Sequence, residues 1–367
     1  MSVSLSQSRR AFVKALVATG AVALLPQVQA AEDDRPPNRK IPLGLDNFAV
    51  RGMAWKADAL IDYAASLKLD SLFISDLDAL ESFEPEYLSG VRSKATDQGL
   101  GLHLGTWSIC PSSKSFKDKW GTAEEHLALG IRTAKLLGSP VLRVVLGNAD
   151  DRRTPGGIKA RIADTAEVCK ACRGQALDAG VKIAVENHAG DMQSTELVEL
   201  IELAGKDYVG ANMDSGNAVW ALEDPLTNLE NLAPYVATTS LRDSAMWQSE
   251  RGAFIQWTAM GEGDVDLKKY FARFAELCPN VPVHIETISG FAREFPVFDD
   301  EFWSVWPHAS AKAFSRWLKI AKSGKPRTPN KSPAGVDAKL AEQQYQKGEL
   351  ERSIKFCKES LRLGLKA

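Results

Sequence analysis

Short apolar runs alternate with longer amphipathic stretches from Ile41 to about Lys322. The apolar runs lie at 41–45, 71–74, 100–107, 141–146, 181–186, 209–213, 236–241 and 281–286. Several are nearly continuous in apolar residues, as expected of strands covered on both faces. Between them, 55–67 and 122–137 repeat their apolar residues at helical spacing. Gly180 stands between a helical stretch and a strand, where a left-handed C-cap is wanted, and Gly99 and Gly138 punctuate the chain in the same way. Strand–helix alternation predicts a parallel sheet with crossover helices. Eight such repeats predict a closed (β/α)8 TIM barrel. A doubly wound open sheet is the competing architecture, but no G-x-G-x-x-G follows the first run.

Beyond the barrel, residues 323–335 (SGKPRTPNKSPAG) read as a linker. Residues 336–367 then read as a C-terminal helical arm of two helices broken near Gly348. Tyr345, Leu350, Ile354 and Cys357 form its apolar seam, packed on the barrel or on another subunit. A single helical hairpin cannot bury its own core. At the other end, Ser8-Arg9-Arg10-Ala11-Phe12-Val13-Lys14 looks like a twin-arginine export motif. An apolar run at 15–25 and a small-residue cleavage site, Val28-Gln29-Ala30, follow it. That run is too short to span a bilayer. The expected division is therefore 1–30 signal peptide, 31–40 polar lead-in, 41–322 barrel, 323–335 linker and 336–367 arm. A periplasmic or secreted protein with no membrane attachment after signal removal follows. Proteins on that route often load a cofactor before export, which favours a bound metal.

Composition narrows the options further. A net charge of −2 without charged blocks argues against a nucleic-acid surface. The five cysteines cannot all pair within one chain. Cys169 and Cys172 form a C-x-x-C inside the helical stretch 158–179, which suits buried, inert thiols better than a redox or zinc site.

In a barrel of this kind, reactive groups sit at the C-terminal ends of the strands. Run five ends Glu186-Asn187-His188, run six continues into Asp214-Ser215-Gly216-Asn217, and run eight ends His284-Ile285-Glu286. Three carboxylates converging on one mouth repel, and a divalent cation relieves the repulsion. Oxygen donors suit Mn2+ or Mg2+ better than Zn2+. Asp214 alone would also serve as a helix N-cap. Trp107 and Trp257, the latter placed in a loop before Gly261, offer indole faces for a sugar. Arg143, within run four, needs a carboxylate partner and would orient Glu186 or Asp214. His103, in mid-strand, reads as a core histidine.

The motifs Val-Glu186-Asn-His188, Asp214-x-Gly-Asn217, Gly261-Glu-Gly-Asp-Val-Asp266 and His284-Ile-Glu286 resemble the sugar phosphate isomerase/epimerase family, which has the xylose-isomerase-like TIM barrel. The resemblance spans about 41–321. It implies that Glu186 and Glu286 are both metal ligands and the acid/base pair. It also makes Asp214 a third ligand and sets His188 against a substrate oxygen. One departure stands out. Where the family reads His-x-His-x-Lys-Asp, this chain reads Thr238-Thr-Ser-Leu-Arg-Asp243. Ser240 takes the place of a ligand histidine, so either the fourth ligand comes from elsewhere (Asp243, His188 or water) or metal binding is weakened or lost. The implied activity is proton transfer α to a carbonyl through an enediolate on a small carbohydrate. The alternatives are elimination from a 3-keto-glycoside on the same site and a non-catalytic carbohydrate-binding barrel.

Overall fold

The computed structural model describes residues 41–366. The export motif and the lead-in at 31–40 lie outside the described residues. Seven strands come first: β1 (Leu43–Asp46), β2 (Ser71–Ile74), β3 (Gly101–Ser108), β4 (Val141–Val145), β5 (Lys182–Glu186), β6 (Val209–Met213) and β7 (Val236–Thr239). A hairpin of β8 (Asp243–Gln248) and β9 (Ala253–Thr258) precedes the last barrel strand, β10 (Val283–Ile285), and β11 (Ala292–Phe295) follows it. The main sheet runs β10-β1-β2-β3-β4-β5-β6-β7, all parallel. It closes just past β7, where the Leu241 N–H donates to the His284 carbonyl (2.7 Å) and the Glu286 N–H to the Leu241 carbonyl (2.9 Å). This is the (β/α)8 barrel that the alternation predicts, and each of the eight apolar runs overlaps one of its strands.

The helices are α1 (Ala57–Ser66), α2 (Pro85–Asp97), α3 (Ala123–Leu137), α4 (Gly157–Ala171), α5 (Arg173–Ala179), α6 (Ser194–Ala204), α7 (Ser215–Trp220), α8 (Pro225–Leu232), α9 (Leu267–Leu277), α10 (Ala311–Ser323) and α11 (Ala338–Glu359). Helix α3 shows how locally they are specified. Thr122 and Glu125 form a reciprocal capping box at its start. Leu127, Ile131 and Ala134 recur on its buried face, and Gly138 at φ +73° ends it. The helical stretch 158–179 is two helices, α4 and α5, meeting at Cys172. Both thiols of the C-x-x-C are buried and free, and burial pushes Cys169 up to about 12, which leaves it inert.

Below the mouth, the barrel interior is filled by Phe73, His103 and His284, with the two imidazole centroids 4.7 Å apart. His103 Nδ1 bonds Thr238 Oγ1 (2.8 Å) and His284 Nε2 bonds Ser71 Oγ (3.0 Å). Burial pulls His103 down to about 4, so this layer is neutral. His103 is thus the core histidine expected. Gly44 makes room for the layer, since a Cβ there would lie 2.4 Å from Ser71 Oγ and 2.7 Å from His284 Cδ2.

Two features differ from the sequence reading. Trp257 lies not in a loop but in β9, the middle strand of a small antiparallel sheet, β11-β9-β8, above the barrel mouth. The C-terminal region is one helix, α11, running through Gly348 rather than two broken there. Leu350, Ile354 and Cys357 are buried as the seam predicted. The helix packs on β10 and on the 3-10 segment after β1. Gln346 Oε1 accepts from the Gly52 N–H (2.8 Å) and Ser353 Oγ from the Met260 N–H (3.0 Å). It therefore occupies the place between the eighth strand and the first, where a (β/α)8 barrel needs its last helix. A glycine inside a helix costs backbone entropy, and a Cβ at 348 would meet nothing nearer than Arg352 Nη1 at 3.5 Å. Gly348→Ala should stabilise the protein by about 0.5–1 kcal/mol in urea unfolding. A loss would show that the helix is strained there.

Glu349, on the same helix, is buried and bonded by the Ser289 hydroxyl. Burial pushes its carboxyl up to about 7. A carboxyl whose folded pKa exceeds its unfolded one takes up a proton on folding, so its contribution to stability falls as pH rises between the two values. Glu349→Gln does not titrate. Its melting temperature relative to wild type should therefore climb by a few degrees between about pH 5 and about pH 8. A difference that is flat with pH would refute the assignment.

Candidate active site

At the C-terminal ends of the strands, Glu186 (end of β5), Asp214 (after β6) and Glu286 (after β10) bring carboxylate oxygens within 4.8 Å of one another, all buried. The three strand ends singled out in the sequence do converge. Asp214 is also the N-cap of α7, its Oδ1 accepting from Gly216 N–H (2.7 Å) and Asn217 N–H (2.9 Å). Asn217 Nδ2 bridges Asp214 Oδ2 (2.7 Å) and Glu186 Oε1 (3.0 Å). Arg143 Nε donates to Glu186 Oε2 at 2.5 Å, and its Nη1 donates to the Thr106 carbonyl at 3.0 Å. This is the carboxylate-orienting partnership expected of it.

The sequence reading missed the central cation. Arg242 Nη2 donates to both Asp214 Oδ2 and Glu286 Oε2, and the guanidinium carbon lies 4.5 Å from the centroid of Trp257. Its signal was its place after strand seven, beside the departure at Ser240. Asp46, Asn212 and Trp220 were missed too. Asp46 ends β1, so the same strand-end rule would have found it. Its Oδ2 accepts from Ser240 Oγ (3.0 Å), and Ser240 Oγ also accepts from Asn212 Nδ2 (3.2 Å). Ser240 therefore links two polar neighbours where the family resemblance would have an imidazole.

The structure does not bring Asp243 to this group. Its Oδ2 accepts from the Gly261 (3.1 Å) and Gly263 (2.9 Å) N–H groups and its Oδ1 from Ser244 (2.7 Å), which pins the 261–263 loop. Within the Gly261–Asp266 motif, Asp266 caps α9.

Four carboxyl groups (Asp46, Glu186, Asp214, Glu286) thus share two guanidiniums (Arg143, Arg242), and their environments divide them. Burial pushes Asp214 up to about 7 against the pull of Arg242. Burial also raises Glu286 well above the ordinary carboxylate range, with Arg242 opposing. For Glu186, burial is outweighed by the Arg143, His188 and Arg242 charges, which hold it below its ordinary value. An ionised carboxylate and a protonated one side by side are what acid/base chemistry uses.

A pocket of about 200 Å³ opens above them, lined by Phe48, Trp107, Arg143, His188, Asn217, Trp220, Arg242, Trp257 and Glu286, among others. Glu286 faces the pocket, whereas Glu186 and Asp214 are not among its lining residues. The indoles of Trp220 and Trp257 stack at 4.1 Å, and Trp107 meets the His188 ring edge-on at 5.3 Å. His188 Nδ1 lies 2.6 Å from the Gly147 carbonyl. A carbonyl only accepts, so Nδ1 carries the proton and the neutral ring keeps Nε2 as an acceptor. Burial lowers the His188 pKa and so favours that neutral form.

By charge and spacing, the three carboxylates could hold a divalent ion. The full set does not fit one while Arg242 is in place, because its Nη2 is already bonded to two of the three and Ser240 supplies no nitrogen. The repulsion that predicted a metal is relieved by guanidinium groups.

A family model described as xylose isomerase-like TIM barrel matches residues 61–302. The structure resembles D-psicose 3-epimerase from Clostridium cellulolyticum H10, solved with D-tagatose, at 13% identity and TM-score 0.55. That similarity covers 88% of this chain and 99% of the other. It also resembles the IOLI protein with a bound zinc atom, at 15% identity and TM-score 0.51, over 77% of this chain and 95% of that one. At such identities these structures share the fold. In sequence, the chain is 22% identical over 192 residues to a 3-oxo-isoapionate decarboxylase of Pectobacterium atrosepticum. The match covers 52% of this chain and 62% of that relative, less than two thirds of its length.

Proposed function

Because the chain belongs to the xylose isomerase-like TIM barrel family, we propose that it is an enzyme that moves a proton next to the carbonyl of a small carbohydrate through an enediolate. The observation that carries this reading is the Glu286 carboxyl on the pocket wall, hydrogen-bonded to Arg242 and facing stacked indoles. Glu286 takes the α-proton and returns it. Arg242, a fixed cation beside it, stabilises the oxyanion that develops. His188 Nε2 accepts a substrate hydroxyl, Trp107 and Trp220 pack against the apolar faces of the sugar, and Trp257, which Trp220 and Arg242 already cover, backs them. Glu186 is held ionised behind Arg143 and Asn217 and keeps both on the wall. Epimerase neighbours support a carbohydrate substrate. An ion displacing Arg242 would meet oxygen donors alone, a set that suits Mn2+ or Mg2+ over Zn2+. Export by the twin-arginine route to the periplasm belongs to this proposal.

A second reading keeps the enediolate and changes the bond that breaks. The relative named for decarboxylation of a 3-oxo acid favours it, because loss of CO2 leaves the same type of enolate that α-proton removal forms before a glycosidic leaving group is expelled. The test is proton NMR in D2O with free ketoses and with a 3-keto-glycoside. Deuterium entering the carbon beside the ketose carbonyl is the expected result. Aglycone release without ketose exchange would transfer the site to elimination, and neither reaction would sink both readings.

A further inference from the structure

Arg242 is held in the carboxylate cluster from several sides. Its backbone carbonyl accepts from Ser215 Oγ (2.6 Å), and its backbone N–H donates back to that hydroxyl (3.2 Å). Its side chain passes over Gly216, where a Cβ would lie 2.3 Å from Arg242 Cγ and 2.6 Å from Cδ, so only glycine leaves the path open. The face of Trp257 covers the guanidinium, and the Trp257 indole N–H is itself tied to the Gly216 carbonyl (2.8 Å). These contacts would set the group in place without the two carboxylates it bridges.

The Arg242 side chain is 2% exposed. Nη2 serves Asp214 and Glu286, but Nε and Nη1 have no hydrogen-bond partner among the described residues. Buried donors left unmade are costly, and arginine presents its five N–H groups in a rigid plane. Arg242 also lines the pocket, so a guanidinium that spends one nitrogen on the protein and keeps two buried nitrogens unpaired is poised for a ligand oxygen that reaches them from that side.

We infer that Arg242 is the built-in cation of this site: it stands between Asp214 and Glu286 in place of a divalent ion, excludes that ion, and gives its Nε and Nη1 hydrogens to the substrate oxygen that becomes negative. The inference rests on the reading of the pocket as an enediolate site, and it adds the claim that no metal is needed there. Charge supports it. A guanidinium bonded to two carboxyl groups offsets one unit of their charge, half of what a divalent ion would, and a second cation brought within a few ångströms of it in a buried site would be repelled. The replacement of a ligand imidazole by Ser240, which bonds Asp46 and Asn212, points the same way.

The test titrates Mn2+ into chelator-treated, full-length protein by calorimetry and by electron paramagnetic resonance. Wild type should show no stoichiometric binding. Arg242→Met should bind one Mn2+ per chain on the order of 100-fold more tightly. Gly216→Ala, which pushes the side chain out of its path, should move binding in the same direction and serves if the methionine variant does not fold. Arg242→Lys keeps a cation and should still exclude Mn2+, yet it loses the paired donors and should exchange the ketose α-proton more slowly. Wild type binding one Mn2+ as tightly as Arg242→Met, or losing its exchange activity on chelation, would overturn the inference. The Mn2+ titration reads out whether or not any ketose exchanges, so failure of the proposed reaction is seen separately.

Discussion

Replacing Glu286 by Gln lowers α-proton exchange about 1000-fold, within the range contributed by a positioned acid or base, while the barrel stays folded. The amide keeps the shape and still accepts from Arg242, but it cannot carry a proton. Burial raises this carboxyl from its ordinary range, with Arg242 opposing. The rising limb of rate against pH should therefore lie above the usual carboxylate range and vanish in the variant. Glu186→Gln should behave differently. It leaves Arg143, buried and bonded to Glu186 at 2.5 Å, without its nearest countercharge. Breaking such a pair costs about 3 kcal/mol, seen as a melting temperature lower by roughly 5–10 °C. Equal losses of turnover in the two variants at unchanged stability would make Glu186 the second proton carrier, the role that the family resemblance implies.

Asp243→Ala should be among the most destabilising substitutions in the chain. It strips acceptors from the N–H groups of Ser244, Gly261 and Gly263, which Asp243 holds at 2.7–3.1 Å. A buried backbone donor left unpaired costs about 1–3 kcal/mol, so a total of about 3–6 kcal/mol is expected in urea unfolding. Glycine lets the loop come this close, since a Cβ at 263 would sit 2.2 Å from Asp243 Oδ1. Mn2+ binding by Arg242→Met should survive the added Asp243→Ala change wherever the double variant folds. A single Asp243→Ala variant of wild-type stability would remove the loop-pinning role.

Glu186, Asp214 and Glu286 were legible as a site because each follows an apolar run, and strand ends in a parallel barrel share one face. Asp46 obeys the same rule but stands one residue past the apolar run 41–45, which by itself does not mark it. The β8–β9 hairpin is hard to read from the sequence because it lies between two barrel strands, where the alternation calls for a connection. Yet Ala245, Trp247, Ile255 and Trp257 alternate as strand residues do. Arg242 and Asp243 are neighbours in sequence with opposite fates, one in the carboxylate cluster and the other under the Gly261–Gly263 loop.

By itself the amino-acid order determined eight strands, their helices and the acidic residues at the barrel mouth. Each of these follows from a local period or a local cap, and burial of one face is written into that period. The tertiary structure alone decided which cation meets those acids. It also turned Asp243 toward a loop and let a helix beyond an irregular segment close the ring. Those outcomes depend on which groups from distant parts of the chain arrive within about 3 Å of one another, and on the space a residue such as Gly216 leaves open. No spacing along the sequence encodes either.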